Sequence, residues 1–221
     1  MSTVTSSSGR RGYAGVMPRL ALILALLLTP GALTAQVHLS AGGGFLTSGA
    51  YFTGPGELEL ASGNAFAGLL QLSVQVRPSV ALVLAGAYAR PEWQITGIPL
   101  VGDIGVTGAR LWFADAAVRG LLPLGGQSAT TPVAFAQAGA GLAHYSLNTT
   151  VLGNAVDEDA TNFALALGAG VALPFTERFG LEVMAKDHIA SFRSVRDLEE
   201  FGVEGRRAHT LHLAVSARVG L

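Results

Sequence analysis

Residues 210–221, TLHLAVSARVGL, decide the fold, because apolar side chains alternate there with polar or small ones over six cycles. The apolar positions are Leu211, Leu213, Val215, Ala217, Val219 and Leu221. The positions between them are Thr210, His212, Ala214, Ser216, Arg218 and Gly220. A period of two places successive side chains on opposite faces, so this stretch predicts a β-strand with one apolar face.

The same alternation recurs upstream and predicts eight antiparallel strands. The predicted strands are 36–46, 64–76, 80–90, 109–122, 133–145, 161–173, 180–189 and 208–221. The breaks between the strands alternate in length. The long ones are 47–63, 91–108, 146–160 and 190–207, and the short ones are 77–79, 123–132 and 174–179. Long loops at one end and short turns at the other are typical of transmembrane barrels. We therefore expect an all-β fold, an eight-stranded antiparallel up-and-down transmembrane β-barrel.

The composition excludes several other classes of protein. Hydrophobic residues make up 50% of the chain and charged residues only 13%, which does not fit a disordered chain. There is no Cys, so a disulfide framework and a Cys-ligated zinc site are excluded. The formal net charge of −1 gives no reason to expect a nucleic-acid partner.

The first 35 residues have the layout of a secretory signal peptide. Residues 20–28 read LALILALLL, Arg residues precede this run, and Thr29–Pro30–Gly31 ends it. Cleavage after Ala35 would leave residues 36–221 as the mature barrel, and Met17 is an alternative start. We therefore expect an exported protein that resides in the outer membrane.

A soluble, lipocalin-like barrel also has eight antiparallel strands, and alternation alone does not decide which face is outside. Two patterns favour the membrane barrel. The positions between the apolar ones are mostly Ala, Gly and Ser, whereas a soluble barrel needs a charged, wet face. Aromatic residues are also expected to point outward at the loop-bearing ends of six strands, like a membrane girdle. The predicted girdle is Phe45, Phe66, Tyr88, Trp112, Tyr145 and Phe163.

The chain resembles the eight-stranded outer-membrane barrels of Gram-negative bacteria, of the outer-membrane protein A and X type. The resemblance rests on the GAGVALP stretch at 168–174, the alternating last strand, and a chain end that coincides with a strand end. It implies insertion by the barrel-insertion machinery. The family's last residue is usually aromatic, whereas this chain ends in Leu221.

Five charged residues are predicted to point into the lumen and to neutralise one another there. An eight-stranded barrel is only wide enough for its own side chains, so we expect a plugged lumen. Glu182 and Arg218 lie on neighbouring predicted strands and are expected to form an ion pair. The full predicted network is Asp115, Arg119, Glu182, Lys186 and Arg218.

Arg90 and Arg110 are predicted to contact the phosphates of lipopolysaccharide. Both are expected to point outward at the loop-bearing ends of strands three and four. A guanidinium fork suits phosphate because it can donate two hydrogen bonds. The simpler alternative is that both side chains only extend to the membrane interface.

The sequence offers weak candidates for catalysis or metal binding, and none is retained. His38 and Ser40 resemble the His-x-Ser of lipid A deacylase barrels, but that family places the pair late in the chain. His209 and His212 are three apart on a strand and therefore point to opposite faces. We expect no catalytic residue, no metal and no cofactor.

Four functions remain open at this point. The first is a non-enzymatic barrel, expected to be a monomer, that acts structurally or through extracellular loops whose partner the sequence does not identify. The second is a small-solute channel, and the third is a lipid A-modifying enzyme. The fourth is a soluble periplasmic binder with an apolar cavity.

Overall fold

The computed structural model describes most of the predicted barrel. The described residues are 36–53, 59–96, 104–106, 108–126, 128–151, 154–191, 204–205 and 207–221. The predicted signal peptide, residues 1–35, lies outside them. The described part of the chain contains no helix long and apolar enough to cross a membrane.

The described residues form strands that pair into two sheets. In chain order the strands are β1 (Val37–Ser48), β2 (Ala50–Thr53), β3 (Glu59–Ser62), β4 (Ala65–Arg77), β5 (Val80–Ala89), β6 (Trp93–Thr96), β7 (Ile104–Val106), β8 (Ala109–Pro123), β9 (Val133–Val151), β10 (Asn154–Pro174), β11 (Phe179–Ser191), β12 (Glu204–Gly205) and β13 (Arg207–Gly220). The longer strands supply the first sheet and the shorter strands supply the second.

The first sheet closes into an eight-stranded barrel in the order β1-β13-β11-β10-β9-β8-β5-β4. Every neighbouring pair is antiparallel, including β1 with β13, which closes the ring. The fold prediction is therefore confirmed. We call the end with the short connections after Arg77, Pro123 and Pro174 the turn end, and the opposite end the loop end.

The segments predicted as long loops contain further strands, which the sequence analysis did not predict. Five short strands pair in the order β12-β2-β3-β6-β7 and form a second sheet. β9 and β10 also continue far past the predicted limits at 145 and 161, and they stay paired up to Val151 and Asn154. The loop end therefore carries ordered β-structure in the described parts of these segments.

The outer face of the barrel is apolar and the inner face carries the polar groups. Along β13 the outward side chains of Leu211, Leu213 and Val215 are exposed, while His212 and Ala214 between them are buried. The other exposed aliphatic side chains include Leu70, Leu84, Val118, Leu142, Leu165, Leu167 and Val183. A continuous apolar surface of this extent marks a surface that meets lipid or a partner protein.

Candidate functional site

The turn-end half of the barrel interior is crossed by an ion pair between Arg119 on β8 and Glu182 on β11. Arg119 Nη1 donates to Glu182 Oε2 over 2.9 Å, and Arg119 Nη2 donates to Glu182 Oε1 over 3.1 Å. The side chains are only 3% and 1% exposed. This two-bond arrangement between a guanidinium and a carboxylate is the strongest form of ion pair that proteins make.

Neighbouring polar groups satisfy the remaining positions of this ion pair. Gln71 Nε2, from β4, donates to Glu182 Oε1 over 2.9 Å. Gln137 Oε1, from β9, accepts from Arg119 Nε at 2.9 Å and from Nη2 at 2.7 Å. The guanidinium carbon also lies 3.9 Å from the ring centre of Phe135, close enough for a cation–π contact. The charges are therefore held by groups from four different strands.

A second buried ion pair lies nearer the loop end. Lys186 Nζ, on β11, donates to both carboxylate oxygens of Asp115, on β8, over 2.7 and 2.6 Å. His188 Nε2 lies 3.2 Å from Asp115 Oδ2, and its ring stacks on Phe113 at a centroid distance of 4.1 Å. Asp115 therefore has two nitrogen partners from β11.

Both ion pairs cross the interior of the barrel. β8 and β11 are separated by β9 and β10 in the sheet order, so a contact between their side chains passes through the lumen. Gly141 lies opposite Asp115 in the β8–β9 register, and a Cβ there would come within 2.7 Å of the Asp115 Cβ. The absence of a side chain at Gly141 leaves Asp115 room to reach across.

The expected pairing of Glu182 with Arg218 is wrong. Both carboxylate oxygens of Glu182 are engaged by Arg119 and Gln71, which reach it from the opposite wall. Arg218 points inward but is only partly buried, and it lines a cavity of about 900 Å³ at the turn end. Solvent in this cavity can screen its charge, so Arg218 does not need the carboxylate as Arg119 does.

We call the turn-end cavity the vestibule, and among the described residues that line it there is none of the four ion-pair residues. Its lining includes His38, Gln75, Arg178 and Arg218. His38 is half-buried, whereas the next inward residue on β1, Ser40, is fully buried. The lumen is therefore open at the turn end and filled in the middle.

The loop end of the lumen is closed by a cluster of aromatic rings from three segments. Tyr51 stacks on Trp93 at a centroid distance of 5.3 Å, and Trp93 meets Tyr145 at 5.8 Å. The Tyr51 hydroxyl donates to Ser48 Oγ, which in turn donates to Thr210 Oγ1. Burial raises the pKa of the Tyr51 hydroxyl, so it stays protonated as a donor.

The prediction that Tyr145 belongs to the outward girdle is wrong, because its side chain points inward and is 3% exposed. Tyr145 lies in register with Leu111 on β8. Leu111 is buried, and its neighbour in sequence, Trp112, points outward. Residues that are paired in register share a face of the sheet. Tyr145 therefore joins the aromatic closure of the lumen.

The other five predicted girdle residues point outward near the loop end: Phe45, Phe66, Tyr88, Trp112 and Phe163. Phe45 and Phe66 meet edge to face at 6.3 Å on neighbouring strands. Trp112 stacks on His144 at 5.1 Å, and His144 shares a hydrogen bond with Thr161. The outward aromatics therefore cover five of the eight barrel strands, and Trp112 has a polar partner beside it.

Arg90 and Arg110 are both exposed on the outer side of the loop end, where the sequence analysis placed them. Arg90 Nε donates to the Tyr88 hydroxyl over 2.9 Å, and its guanidinium lies 5.8 Å from the ring centre. This contact uses Nε and leaves the two terminal nitrogens of Arg90 free to meet an anion.

The two histidines of the weak metal candidate are not brought together. His209 is exposed on the outside of β13, whereas His212 is fully buried inside it. Within the described ranges there is no cluster of three or more His, Asp or Glu side chains that could hold a metal ion.

Comparison with known proteins gives matches at the level of structure. No family model and no curated protein sequence matches the chain. The crystal structure of neisserial surface protein A matches with a TM-score of 0.53 at 11% identity, covering 83% of this chain and 96% of that one. The outer membrane protein OprG of Pseudomonas aeruginosa gives 0.55 at 12% identity, with coverage of 83% and 96%. This chain has the fold of the eight-stranded outer-membrane barrels.

A third barrel of this fold, a major outer membrane protein of Thermus thermophilus, matches with a TM-score of 0.50 at 15% identity. The match covers 86% of this chain and 100% of that one. The likeness of these outer-membrane barrels to this chain lies in strand number and order, because the identities are too low to carry over individual residues.

The sequence predicts that Gln71 faces inward, and its buried side chain confirms this. Sequence reasoning missed two other polar members of the lumen cluster, His188 and Gln137. Both follow the inward phase of their strands, at every second position from Glu182 and Phe135 respectively. The signal that could have found them is therefore the alternation itself, applied to uncharged polar residues as well as to charged ones.

Proposed function

We propose that this protein is an outer-membrane barrel that is closed to solutes and acts without catalysis, structurally or through its extracellular loops. The observation that supports closure best is the pair of buried ion pairs, Arg119–Glu182 and Lys186–Asp115, that cross the lumen. Separating them would leave uncompensated charges in a narrow interior, which is costly. A solute would have to separate both.

The surface of the barrel supports placement in a membrane. Leu70, Leu84 and Leu213 are more than half exposed on its outer face, and exposed Phe45 and Phe163 lie toward the loop end. A soluble protein would expose this apolar area to water at a large cost, whereas a bilayer would cover it. The short connections then face the periplasm and the loop end faces outward.

The loop end is the part of the molecule best suited to meet a partner. The second sheet, β12-β2-β3-β6-β7, and the β9–β10 ribbon give it defined backbone structure. A surface supported by strands can hold a binding site in place at lower entropic cost than a flexible loop. We expect the protein to be a monomer and to need the barrel-insertion machinery to enter the membrane.

We expect Arg90 and Arg110 to contact the phosphates of lipopolysaccharide in the outer leaflet. The hydrogen bond from Arg90 to Tyr88 supports this role, because it fixes the guanidinium at the girdle. The double variant Arg90→Gln/Arg110→Gln should co-purify with less lipopolysaccharide than the wild type. Arg178→Gln, an exposed cation at the turn end, is the matched control and should not change the amount. Equal amounts of lipopolysaccharide with all three proteins would mean that the two arginine side chains only extend to the membrane interface.

A small-solute channel is the second candidate, and the vestibule of about 900 Å³ favours it. Conductance across a planar bilayer decides between the two functions. Wild-type protein should give no steady current, because both ion pairs block the path. A steady conductance on the nanosiemens scale would contradict the closed barrel and support the channel.

The non-enzymatic part of the proposal has its own test. A lipid A-modifying enzyme would change the mass of lipid A in cells that produce it. The lipid A mass spectrum should be the same with and without the protein. A new lipid A species that depends on the protein would overturn this part of the proposal.

A further inference from the structure

The vestibule at the turn end contains a cation that forms no ion pair with any of the described residues. Arg218 points into the vestibule from β13 and is partly buried. Among the described residues its side chain has no hydrogen-bond partner either. Glu182, one inward position deeper on the neighbouring strand β11, is already engaged by Arg119 and Gln71. The guanidinium of Arg218 is therefore available to a ligand without the loss of a native ion pair.

An apolar wall faces Arg218 across the vestibule. Leu121 on β8 and Val133 on β9 line the same cavity. In the ring of eight strands β8 lies on the opposite side from β13, with three strands between them in either direction. Arg218 and Leu121 each lie one inward position nearer the turn end than the ion pair of Arg119. A molecule in the vestibule would therefore meet a cation on one side and apolar side chains on the other.

The charges of the described lining favour an anion with a single charge. Glu177 and Arg178 carry opposite charges, and both are exposed in the turn between β10 and β11. His38 is the remaining titratable side chain of the described lining, and an imidazole is mostly neutral at pH 8. One positive charge, that of Arg218, is then left uncompensated. A dianion such as a phosphate monoester would instead carry one negative charge too many and would lie close to Glu177.

We propose that the vestibule binds a small organic acid that has one carboxylate and an apolar body. The carboxylate accepts two hydrogen bonds from the guanidinium fork of Arg218, and the apolar body packs on Leu121 and Val133. A cavity of about 900 Å³ has the size of a small-molecule site. With the proposed placement in the membrane, the vestibule opens to the periplasm, so the ligand comes from that compartment. The site itself goes beyond the proposed function and does not depend on whether the lumen conducts.

The test is isothermal titration calorimetry of the folded barrel in detergent at pH 8, with 3-phenylpropionate as the probe. The wild type should bind one molecule. The amide 3-phenylpropanamide keeps the ring and loses the charge, and acetate keeps the charge and loses the ring. Each should bind about tenfold more weakly than 3-phenylpropionate. A titration into micelles without protein corrects for partition of the probes into detergent.

Substitutions on the two sides of the vestibule separate the two contacts. Arg218→Gln should weaken binding of 3-phenylpropionate about tenfold, because it removes the charge-assisted donors. Arg218→Lys keeps the charge without the fork and should give an intermediate affinity. Leu121→Ala should weaken binding of 3-phenylpropionate and leave that of acetate unchanged. The matched control is Arg77→Gln, which removes an exposed turn-end cation outside the lining and should change nothing.

Glu177→Gln gives a result that damage to the fold would not produce. It removes the carboxylate at the mouth of the vestibule, so binding of 3-phenylpropionate should become about twofold tighter. Heat-modifiable gel migration shows that each variant is folded before it is titrated.

Four results would each overturn the proposal. They are no binding of 3-phenylpropionate by the wild type, equal affinity for the acid and its amide, tighter binding of phenyl phosphate than of 3-phenylpropionate, and an equal loss in Arg77→Gln. A steady conductance across a planar bilayer would contradict the closed lumen and leave these affinities intact. Failure of this site and failure of the proposed function are therefore distinguishable.

Discussion

Buried side chains fill the lumen in two places, through different kinds of contact. In the middle, Arg119–Glu182 and Lys186–Asp115 join opposite walls through charges that are fully buried. At the loop end, the rings of Tyr51, Trp93 and Tyr145 fill the interior by stacking. One closure is built from residues of the barrel wall alone, and the other needs side chains supplied by the loop-end segments.

The difference matters for how each closure responds to change. Removing one partner of a buried ion pair leaves an uncompensated charge, so the loss of stability is large. Removing one ring from the stack loses apolar area and contacts, and the neighbouring rings can relax toward the gap. Substitutions in the ion pairs should therefore lower the stability of the barrel more than substitutions in the aromatic cluster.

Glu182→Ala should give the largest effect. It leaves the Arg119 guanidinium buried without its carboxylate, which should lower the free energy of unfolding by about 3–5 kcal/mol. Urea unfolding in liposomes or detergent measures this loss. Glu177→Ala, an exposed turn residue, is the control and should change stability little.

Replacing both partners sharpens the same test. In Arg119→Met/Glu182→Leu no charge is left unpaired, so the loss should be smaller than in Glu182→Ala. A double variant that is as unstable as the single one would show that the ion pair itself does not explain the loss.

Trp93→Ala should give the next largest loss of stability. A buried Trp→Ala change costs about 3–5 kcal/mol in a core, and we expect the lower limit because the loop-end strands can adjust. The same unfolding measurement applies, with Trp112→Ala on the outer face as the control. A loss above that of Glu182→Ala would reverse the ranking of the two closures.

Gly141→Ala tests the space that lets Asp115 cross the lumen. The added Cβ would overlap the backbone oxygen of Ala114 and crowd Asp115, which should cost about 1–3 kcal/mol. Gly68→Ala is the matched control, because a Cβ at this outward glycine meets nothing within 4 Å. Equal stability of the two variants would show that the tight approach at Gly141 is not needed.

Tyr51→Phe should have the smallest effect. It keeps the stack on Trp93 and removes the hydrogen bonds that the hydroxyl makes to Ser48 and Thr210, which should cost about 1–2 kcal/mol. Thermal unfolding followed by gel migration can detect it. A loss as large as that of Trp93→Ala would mean that the loop end depends on the hydrogen-bond network more than on the aromatic rings.

The sequence was sufficient for the barrel wall because alternation there is governed by local geometry. Strand number, pairing and the inward phase of Asp115, Arg119, Glu182 and Lys186 all follow from a period of two. The partner of Glu182 could not be predicted, because a contact across the lumen depends on barrel diameter and not on neighbouring strands.

The loop end could be predicted only in part. Outward Ala134, Ala136 and Ala138 on β9 are only slightly more apolar than the inward Gly139 and Gly141, and the large apolar Phe135 points inward. The alternation in this strand therefore gave no clear phase for Tyr145. The second sheet was missed because strands such as Ala50–Thr53 and Glu59–Ser62 are too short to show alternation. The outward hydrogen bond between Asp187 on β11 and His209 on β13 depends on register between strands, which a single sequence does not give.

The most direct test of a membrane-spanning barrel with a polar, closed interior is cysteine accessibility, since the chain has no native Cys. Leu72 and Leu213 lie on the outer face, and Ser73 and Ala214 lie on the inner face. Each of the four is replaced by Cys in a separate variant. In intact membranes, lipid-phase quenchers should reach probes attached at Leu72 and Leu213 and should not reach those at Ser73 and Ala214. Rapid labelling of Leu72→Cys and Leu213→Cys by a water-soluble maleimide would contradict the account, because it would place the apolar face in water.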